Sequence, residues 1–417
     1  MRRLAALLAF VVTVLVVATA CAGGGGKGEA LVIGSIYPTS GPQRAGGTDE
    51  ERGVRLAVEW ANTHGGVHGR TVRLESADAP RPETVPSAMR FLRDRGARVI
   101  LGSHGSATSA AAATVAGETG MMLWETGAVG GTTPANGGRS FFRLAPMGAN
   151  LGRNAIAFIR DEVAPKLKPS APLRYAVVFV DDPYGRSVGK GALDEVEGSG
   201  QVLSASLPYD ARSANFAALA RRIAETRTDV LFAVSYLDDG VALVRALTEA
   251  KVPLVASIGT SSSFCHPQFG QRLGPLAVGM FASDKPDQAH VRPDALEPEG
   301  RRTLAWASAR YQRRYGKTMS AEALGGFSNG YSLLAHVLPA ATTFDPKAVA
   351  HAALTTKLSR GMLANGGGLD LAPPGAPDEG ENRRAAGVIW EWVAPGERAV
   401  VWPALFATHT IEPLHAG

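Results

Sequence analysis

Short apolar runs alternate with amphipathic stretches through the first two thirds of the chain. Leu31–Tyr37 (LVIGSIY) is apolar enough for a buried strand. In Glu50–His64, which follows, Val54, Ala57, Val58 and Ala61 recur at three- and four-residue intervals and so share one face of a helix. Gly65-Gly66 ends that helix, because glycine takes a left-handed C-terminal conformation without steric cost. Thr71–Ser76 then alternates with period two, a strand signal. A helix over Thr84–Arg95, a strand over Arg98–Leu101, a loop over Gly102–Ser106, an alanine-rich helix over Ala107–Glu118 and a short strand over Met121–Trp124 complete the first set.

The alternation restarts after Asn150. Helices are predicted over Asn150–Val163, Tyr184–Glu197, Ala214–Thr226 and Asp239–Ala250. Strands are predicted over Arg174–Val180, Gln201–Leu207, Asp229–Val234 and Pro253–Ser257. Strands alternating with helices imply parallel sheets covered on both faces, and two such sets imply two similar lobes. The last third differs. Leu304–Tyr315, Ala321–Ala340 and Asp345–Lys357 read as helices with no strand between them, and Gly366–Glu381 reads as a Gly/Pro-rich, acidic surface loop. Val388–Val393 and Ala399–Trp402 read as a hairpin turning at Ala394–Glu397, by which the chain returns to one lobe at its end.

The N-terminus changes the picture of where such a body resides. Arg2 and Arg3 precede an unbroken apolar and small-residue run, Leu4–Ala20, which stops at Cys21. This is the layout of a secretory signal peptide, with cleavage after residues 1–20. Ala18-Thr19-Ala20-Cys21 resembles a bacterial lipobox, with alanine where leucine is usual, so Cys21 is the expected lipidation site. Residues 21–30, rich in glycine, read as a flexible tether.

Apolar content of 45% and charged content of 19% suit a packed globular body. The net charge of +5 is spread thinly: Arg221-Arg222, Arg301-Arg302 and Arg313-Arg314 fall on polar helix faces, and no nucleic-acid partner is expected. With Cys21 assigned to lipid, Cys265 stands alone, so there is no disulfide framework. Cys265-His266 has no partners at metal-ligand spacing, and His64 and His68 flank a Gly-Gly turn rather than sharing a helix face; no metal and no cofactor are expected. Gly326-Phe327-Ser328-Asn329-Gly330 fits the Gly-x-Ser-x-Gly pattern of a hydrolase, but that pattern requires a strand before the serine, and here it lies inside a helical stretch.

Several landmarks, in order, carry a resemblance. They are IGSIYPTSGPQRAGGTDEERGVRLAVEWANTHGGVHGR, VILGSHGSATSAAA, WETGAVGGTTP, FFRLAPMGAN and VDDPYGRSVGKGALDEVEGSG. Together they resemble the branched-chain amino-acid binding protein family, the extracytoplasmic receptors of ABC importers. The resemblance implies an α/β fold of two doubly wound parallel-sheet lobes joined by three crossover segments, the type I periplasmic binding protein arrangement. Lobe one would comprise residues 31–145 and 283–385, lobe two residues 146–282 and 386–403, with 404–417 as a tail. It implies a monomeric, non-enzymatic receptor that closes on a small polar metabolite and hands it to a membrane permease. A ligand-sensing receptor of the same fold is the alternative, and a secreted hydrolase the remote one.

The resemblance also implies site residues. Ser106, with Ala107 and Thr108, matches the loop that takes the ligand's acid group, where helix N-terminal N–H groups attract an anion. Gly127 and Ala128 match the second ligand loop, although the small hydroxyl residue expected just after them is replaced by Val129 or Gly130. Tyr184 and Tyr236 match cleft aromatics of lobe two. Ser261 stands near where amino-acid binders of the family carry an acid for the ammonium. An aliphatic amino acid is therefore in question, with Glu125 or Asp238 as possible replacements, and an amide or an organic acid is open.

Overall fold

The computed structural model describes residues 29–131 and 140–411. Cys21 and the lipobox lie outside the described residues.

Two sheets organise the molecule. The first has five strands in the order β2-β1-β3-β4-β5, all parallel: β1 (Leu31–Tyr37), β2 (Val72–Asp78), β3 (Val99–Gly102), β4 (Met122–Glu125) and β5 (Phe141–Arg143). The second has seven strands in the order β12-β11-β10-β9-β8-β6-β7. Its parallel part comprises β6 (Arg174–Val180), β7 (Val202–Tyr209), β8 (Val230–Val234), β9 (Ala256–Thr260) and β10 (Phe281–Asp284). The hairpin β11 (Val388–Ala394) and β12 (Glu397–Trp402) adds to β10 antiparallel. These are the two doubly wound α/β lobes.

Helices cover both sheets, and local chemistry sets their starts. Asp182 accepts from the Gly185 N–H at 2.8 Å to cap helix Pro183–Gly198, and Asp345 caps Pro346–Thr355 in the same way. Helix Arg44–Thr63 begins six residues before the start predicted at Glu50. Gly46 and Gly47 in its first turn hide that start from the pattern, and a Cβ on Gly47 would fall 2.4 Å from the Pro38 carbonyl. The same helix packs on Ala321–Ser332 so closely that a Cβ on Gly53 would sit 2.0 Å from the Ala323 carbonyl.

The cores of the two lobes are separate, and lobe one has a second cluster around Ile36, Met89, Ile100 and Leu123. Lobe one buries Val54, Leu101, Trp124, Phe142, Phe327 and Leu334 among others. Lobe two buries Val177, Phe232, Phe264, Phe281 and Trp392. Trp392 brings the C-terminal hairpin into that core: its indole N–H donates to the Phe264 carbonyl at 2.7 Å.

Three chain crossings join the lobes: Leu144–Met147, Lys285–Asp287 and the stretch around Glu381–Gly387. The first and third lie side by side. Arg143 N donates to the Gly380 carbonyl and Asn382 N to the Arg143 carbonyl, each at 2.9 Å. The buried Arg143 guanidinium donates to Glu381 Oε1 at 3.1 Å. The Gly/Pro-rich stretch before this crossing is the expected surface loop only in its middle, where Pro373, Pro374, Gly375 and Pro377 are exposed; its ends are enclosed. Gly366–Leu369, Leu371 and Ala372 are buried, and a Cβ on Gly366 would meet the Phe406 ring at 2.5 Å.

Candidate functional site

The loops after the strands' carboxyl ends face each other between the lobes, where ligands of open α/β sheets bind. On lobe one, β3 leads through Ser103-His104-Gly105 into helix Ser106–Thr119. The first-turn N–H groups of Ser106, Ala107 and Thr108 have no intrahelical acceptor, and among the described residues no N-cap side chain takes one of them. Ser106 Oγ accepts from Gly130 N at 2.9 Å, Thr108 Oγ1 donates to the Gly105 carbonyl at 2.7 Å, and Ala107 is exposed.

The second loop is organised by Glu125, the fully buried last residue of β4. Its Oε1 accepts from Gly127 N at 2.9 Å and from Ala128 N at 2.8 Å. Its Oε2 accepts from Ser103 N at 2.7 Å, Ser103 Oγ at 3.0 Å and Ser109 Oγ at 2.6 Å. Burial and the nearby Glu50 carboxylate push the Glu125 carboxyl up, while these donors oppose them. Gly127 and Ala128 therefore spend their amide hydrogens on an internal anion. Behind them, Glu50 accepts from Thr126 Oγ1 at 2.5 Å and pairs with His104 Nδ1 at 2.7 Å. Burial opposes the charge on His104, but the Glu50 partner raises its pKa above the ordinary value.

On lobe two, Tyr184 opens helix Pro183–Gly198 after β6. Its hydroxyl lies 2.7 Å from Thr260 Oγ1 and accepts from Ser262 N at 3.4 Å. Tyr236 follows β8 and donates to Asp182 Oδ2 at 2.7 Å; the two rings are 5.7 Å apart. Burial pushes both phenols up, so they remain neutral. Ser261 turns the chain after β9, and its carbonyl accepts from Cys265 Sγ at 2.8 Å. The same thiol lies 2.7 Å from Asp284 Oδ2, and burial raises both groups' pKa values.

The structure brings the two sets close. Gly131 N donates to Ser187 Oγ across the lobes at 2.9 Å, and a Cβ on Gly130 would lie 3.0 Å from the Pro183 carbonyl. Neither replacement acid offers a free carboxylate: Glu125 is tied up in its own loop, and Asp238 is exposed and paired with Arg272 at 2.6 Å. Sequence reasoning missed Glu50, His104, Asp284, Lys285 and Glu322. Their signal was weak: Glu50 and Glu322 sit in helices and Lys285 in a crossing, where a charge reads as solvated surface, while His104 lies in the loop after β3 and Asp284 ends β10.

Ser328 is fully buried inside helix Ala321–Ser332, and its Oγ accepts from Asn365 N at 3.1 Å. Among the described residues, no group of three or more His, Cys, Asp or Glu side chains is placed to hold a metal ion. An open groove of about 710 Å³ lies on lobe one alone, where Asp49 pairs with Arg52 and Lys317 and Glu51 pairs with Arg55.

Comparison with known proteins completes the description. The family described as periplasmic binding protein matches residues 30–369. The Leu/Ile/Val-binding protein homolog 8 of Brucella abortus (strain 2308) is 25% identical over 375 residues, 89% of this chain and 90% of that protein. Homolog 7 of Brucella suis biovar 1 (strain 1330) is 26% identical over 394 residues, 93% of this chain and 95% of that protein. The leucine binding protein LivK of Thermotoga maritima superposes with a TM-score of 0.72 at 18% identity, covering 89% of this chain and 97% of its own. A solute binding protein of R. palustris in complex with benzoate gives a TM-score of 0.68 at 15% identity, over 92% of this chain and 99% of its own.

Proposed function

Because the chain belongs to the periplasmic binding protein family, we propose that it is an extracytoplasmic receptor that captures a small polar metabolite between its lobes and delivers it to an ABC importer. The signal-like N-terminus and Cys21 support a lipid-anchored location. The observation that carries the reading is the pair of facing loop sets, Ser106–Thr108 with Gly127-Ala128 on one lobe, and Tyr184, Tyr236 and Ser261 on the other.

Each set has a role in this reading. The uncapped first turn at Ser106 anchors an anionic or strongly polar end of the ligand, since its N–H groups and the helix dipole favour negative charge. Glu125 holds the second loop in shape beforehand, which lowers the ordering cost of binding. Tyr184 and Tyr236 cover the ligand from lobe two with neutral hydroxyls. Ligand favours the closed arrangement only by its preference for that state.

A thermal-shift screen of the chain from Cys21 onward tests the reading, with amino acids, their amides and small organic acids as ligands. A ligand at about a hundred times its Kd stabilises by about 2.7 kcal/mol, a rise of several degrees in Tm. A screen in which no small metabolite raises Tm would overturn the receptor reading.

A further inference from the structure

The amino ends of β1, β2 and β3 lie side by side, on the face of lobe one opposite the strand-end loops of the cleft. They frame a groove of about 290 Å³ lined by Arg70, Arg73, Arg95 and Arg98, and Glu29 is the one acid among the described residues that line it. The arginines meet here because each flanks a strand start, Arg70 and Arg73 at β2, Arg95 and Arg98 before β3. Arg73, Arg95 and Arg98 are exposed.

Their charges are under-matched. Arg73 pairs with Glu75, and Arg95 reaches the other oxygen of the same carboxylate at 3.4 Å. Arg70 donates to carbonyls, Glu29 O at 2.6 Å and Ala30 O at 3.4 Å, and its guanidinium lies 5.2 Å from the Phe344 ring centre. Arg98 donates to the Arg93 and Ala97 carbonyls, each at 3.0 Å. Among the described residues neither Arg70 nor Arg98 has a carboxylate oxygen within 4.0 Å. Four guanidiniums against Glu29 and Glu75 leave the groove positive, while the adjoining Arg93 is matched by Asp94 at 3.3 Å. Each guanidinium carries five N–H donors in a planar fork that fits a phosphate group. Beside the groove, Phe91 is 43% exposed with the Arg95 guanidinium 4.7 Å from its ring centre. An apolar ring next to a cation suits a lipid headgroup boundary.

The tether decides what meets this face. The described chain starts at Glu29, in the groove's own lining, and Cys21 lies eight residues earlier. That stretch spans at most about 28 Å fully extended, and about 15 Å as a glycine-rich coil. A lipid on Cys21 therefore holds the arginines near the bilayer surface. We propose that the groove is a docking surface for the anionic headgroups of the membrane that holds the tether. It stands the molecule on lobe one, with lobe two turned away from the bilayer. The assignment rests on the lipid-anchor reading above.

Vesicle co-sedimentation of the chain from residue 21 onward, carrying C21S so that no attached lipid takes part, tests the surface. The protein should bind vesicles of equal parts phosphatidylglycerol and phosphatidylcholine, not phosphatidylcholine alone, and binding should weaken as sodium chloride is raised. R95Q combined with R98Q should weaken it roughly tenfold to a hundredfold, at about 1 kcal/mol per arginine. R221Q combined with R222Q removes the same charge from an exposed helix face of lobe two and should bind as before. Hydrogen exchange needs no groove variant: on anionic vesicles residues 93–98 should slow and residues 221–227 should not. Equal binding to both vesicle types, or equal losses in the two double variants, overturns the assignment. Saturable binding of inorganic phosphate in calorimetry, without vesicle binding, marks a free-anion site and overturns it too. If the vesicles are ignored while Cys21→Ser still releases the protein from cell membranes, the docking surface falls and the anchor reading stands. If Cys21→Ser releases nothing, the anchor reading falls and the tethered orientation with it.

Discussion

Glu381 offers a test of how the crossings respond to pH. It is 8% exposed; Oε1 accepts from Arg143 at 3.1 Å, and among the described residues Oε2 has no hydrogen-bond partner. Burial pushes its carboxyl from 4.5 up to about 7; Arg143 opposes this, and the Asp378 and Glu125 carboxylates add to it. A carboxyl raised in the folded state contributes stability that is present below its unfolded pKa and lost as pH rises through about 7. At about 1.4 kcal/mol per pH unit, the rise amounts to about 3 kcal/mol in full, of which roughly 2–3 kcal/mol is lost between pH 5 and pH 8. Glu381→Gln stays neutral throughout and keeps the oxygen that Arg143 contacts. Melting curves of wild type and variant should therefore diverge with pH. The variant's Tm relative to wild type should rise by about 4–12 °C between pH 5 and pH 8, at about 2–4 °C per kcal/mol. Taking the difference cancels every other titrating group. Parallel curves across that range would refute the argument and show that the Arg143 pair keeps Glu381 ionised.

Other outcomes follow from single contacts. Ser106→Ala removes the acceptor of the buried Gly130 N–H; Tm of the ligand-free protein should fall by the equivalent of about 1–3 kcal/mol, and ligand affinity should fall with it in calorimetry. Gly53→Ala places a Cβ 2.0 Å from one backbone atom and 2.6 Å from another, so the two helices must separate at a cost of about 1–3 kcal/mol or more. Gly198→Ala, which meets nothing within 4 Å, is its control and should leave Tm nearly unchanged. Cys21→Ser should move the protein from the membrane to the soluble extracytoplasmic fraction on cell fractionation, and retention in the membrane would exclude the lipid anchor.

Much of the fold was legible because burial leaves a periodic trace. Leu31–Tyr37 and Arg174–Val180 were bounded as observed, since strands buried on both faces read as apolar runs. β5 was read only as part of the landmark FFRLAPMGAN and not as a strand, three residues being too few to show a period. β7 runs on to Tyr209 through Pro208, which composition alone treats as a stop. Residues 366–372 misled because their polarity is local, whereas their burial comes from Phe406, far along the chain, and from the Leu358–Leu369 pairing. The loops at Ser106 and Gly127 were found because glycine and serine at strand ends are conspicuous. Glu50, Lys285 and Glu322 were not, because a charge becomes informative only when the fold encloses it.

The return of the hairpin β11–β12 to the second sheet has a temporal meaning. β10 gains its neighbour β11 only when residues 388–394 are present, and the first lobe's core takes Leu358, Leu363 and Leu371 from almost as late. Neither lobe is a contiguous stretch that can close while the rest is still being made. Vectorial synthesis thus yields a nascent chain whose two cores remain unfinished until nearly the last strand emerges. Long-range closures of this kind are slow to form and leave sheet edges bare in the meantime. A chain cut short before Val388 would carry β10 as an open edge, with the surface that Trp390 and Trp392 normally cover left exposed.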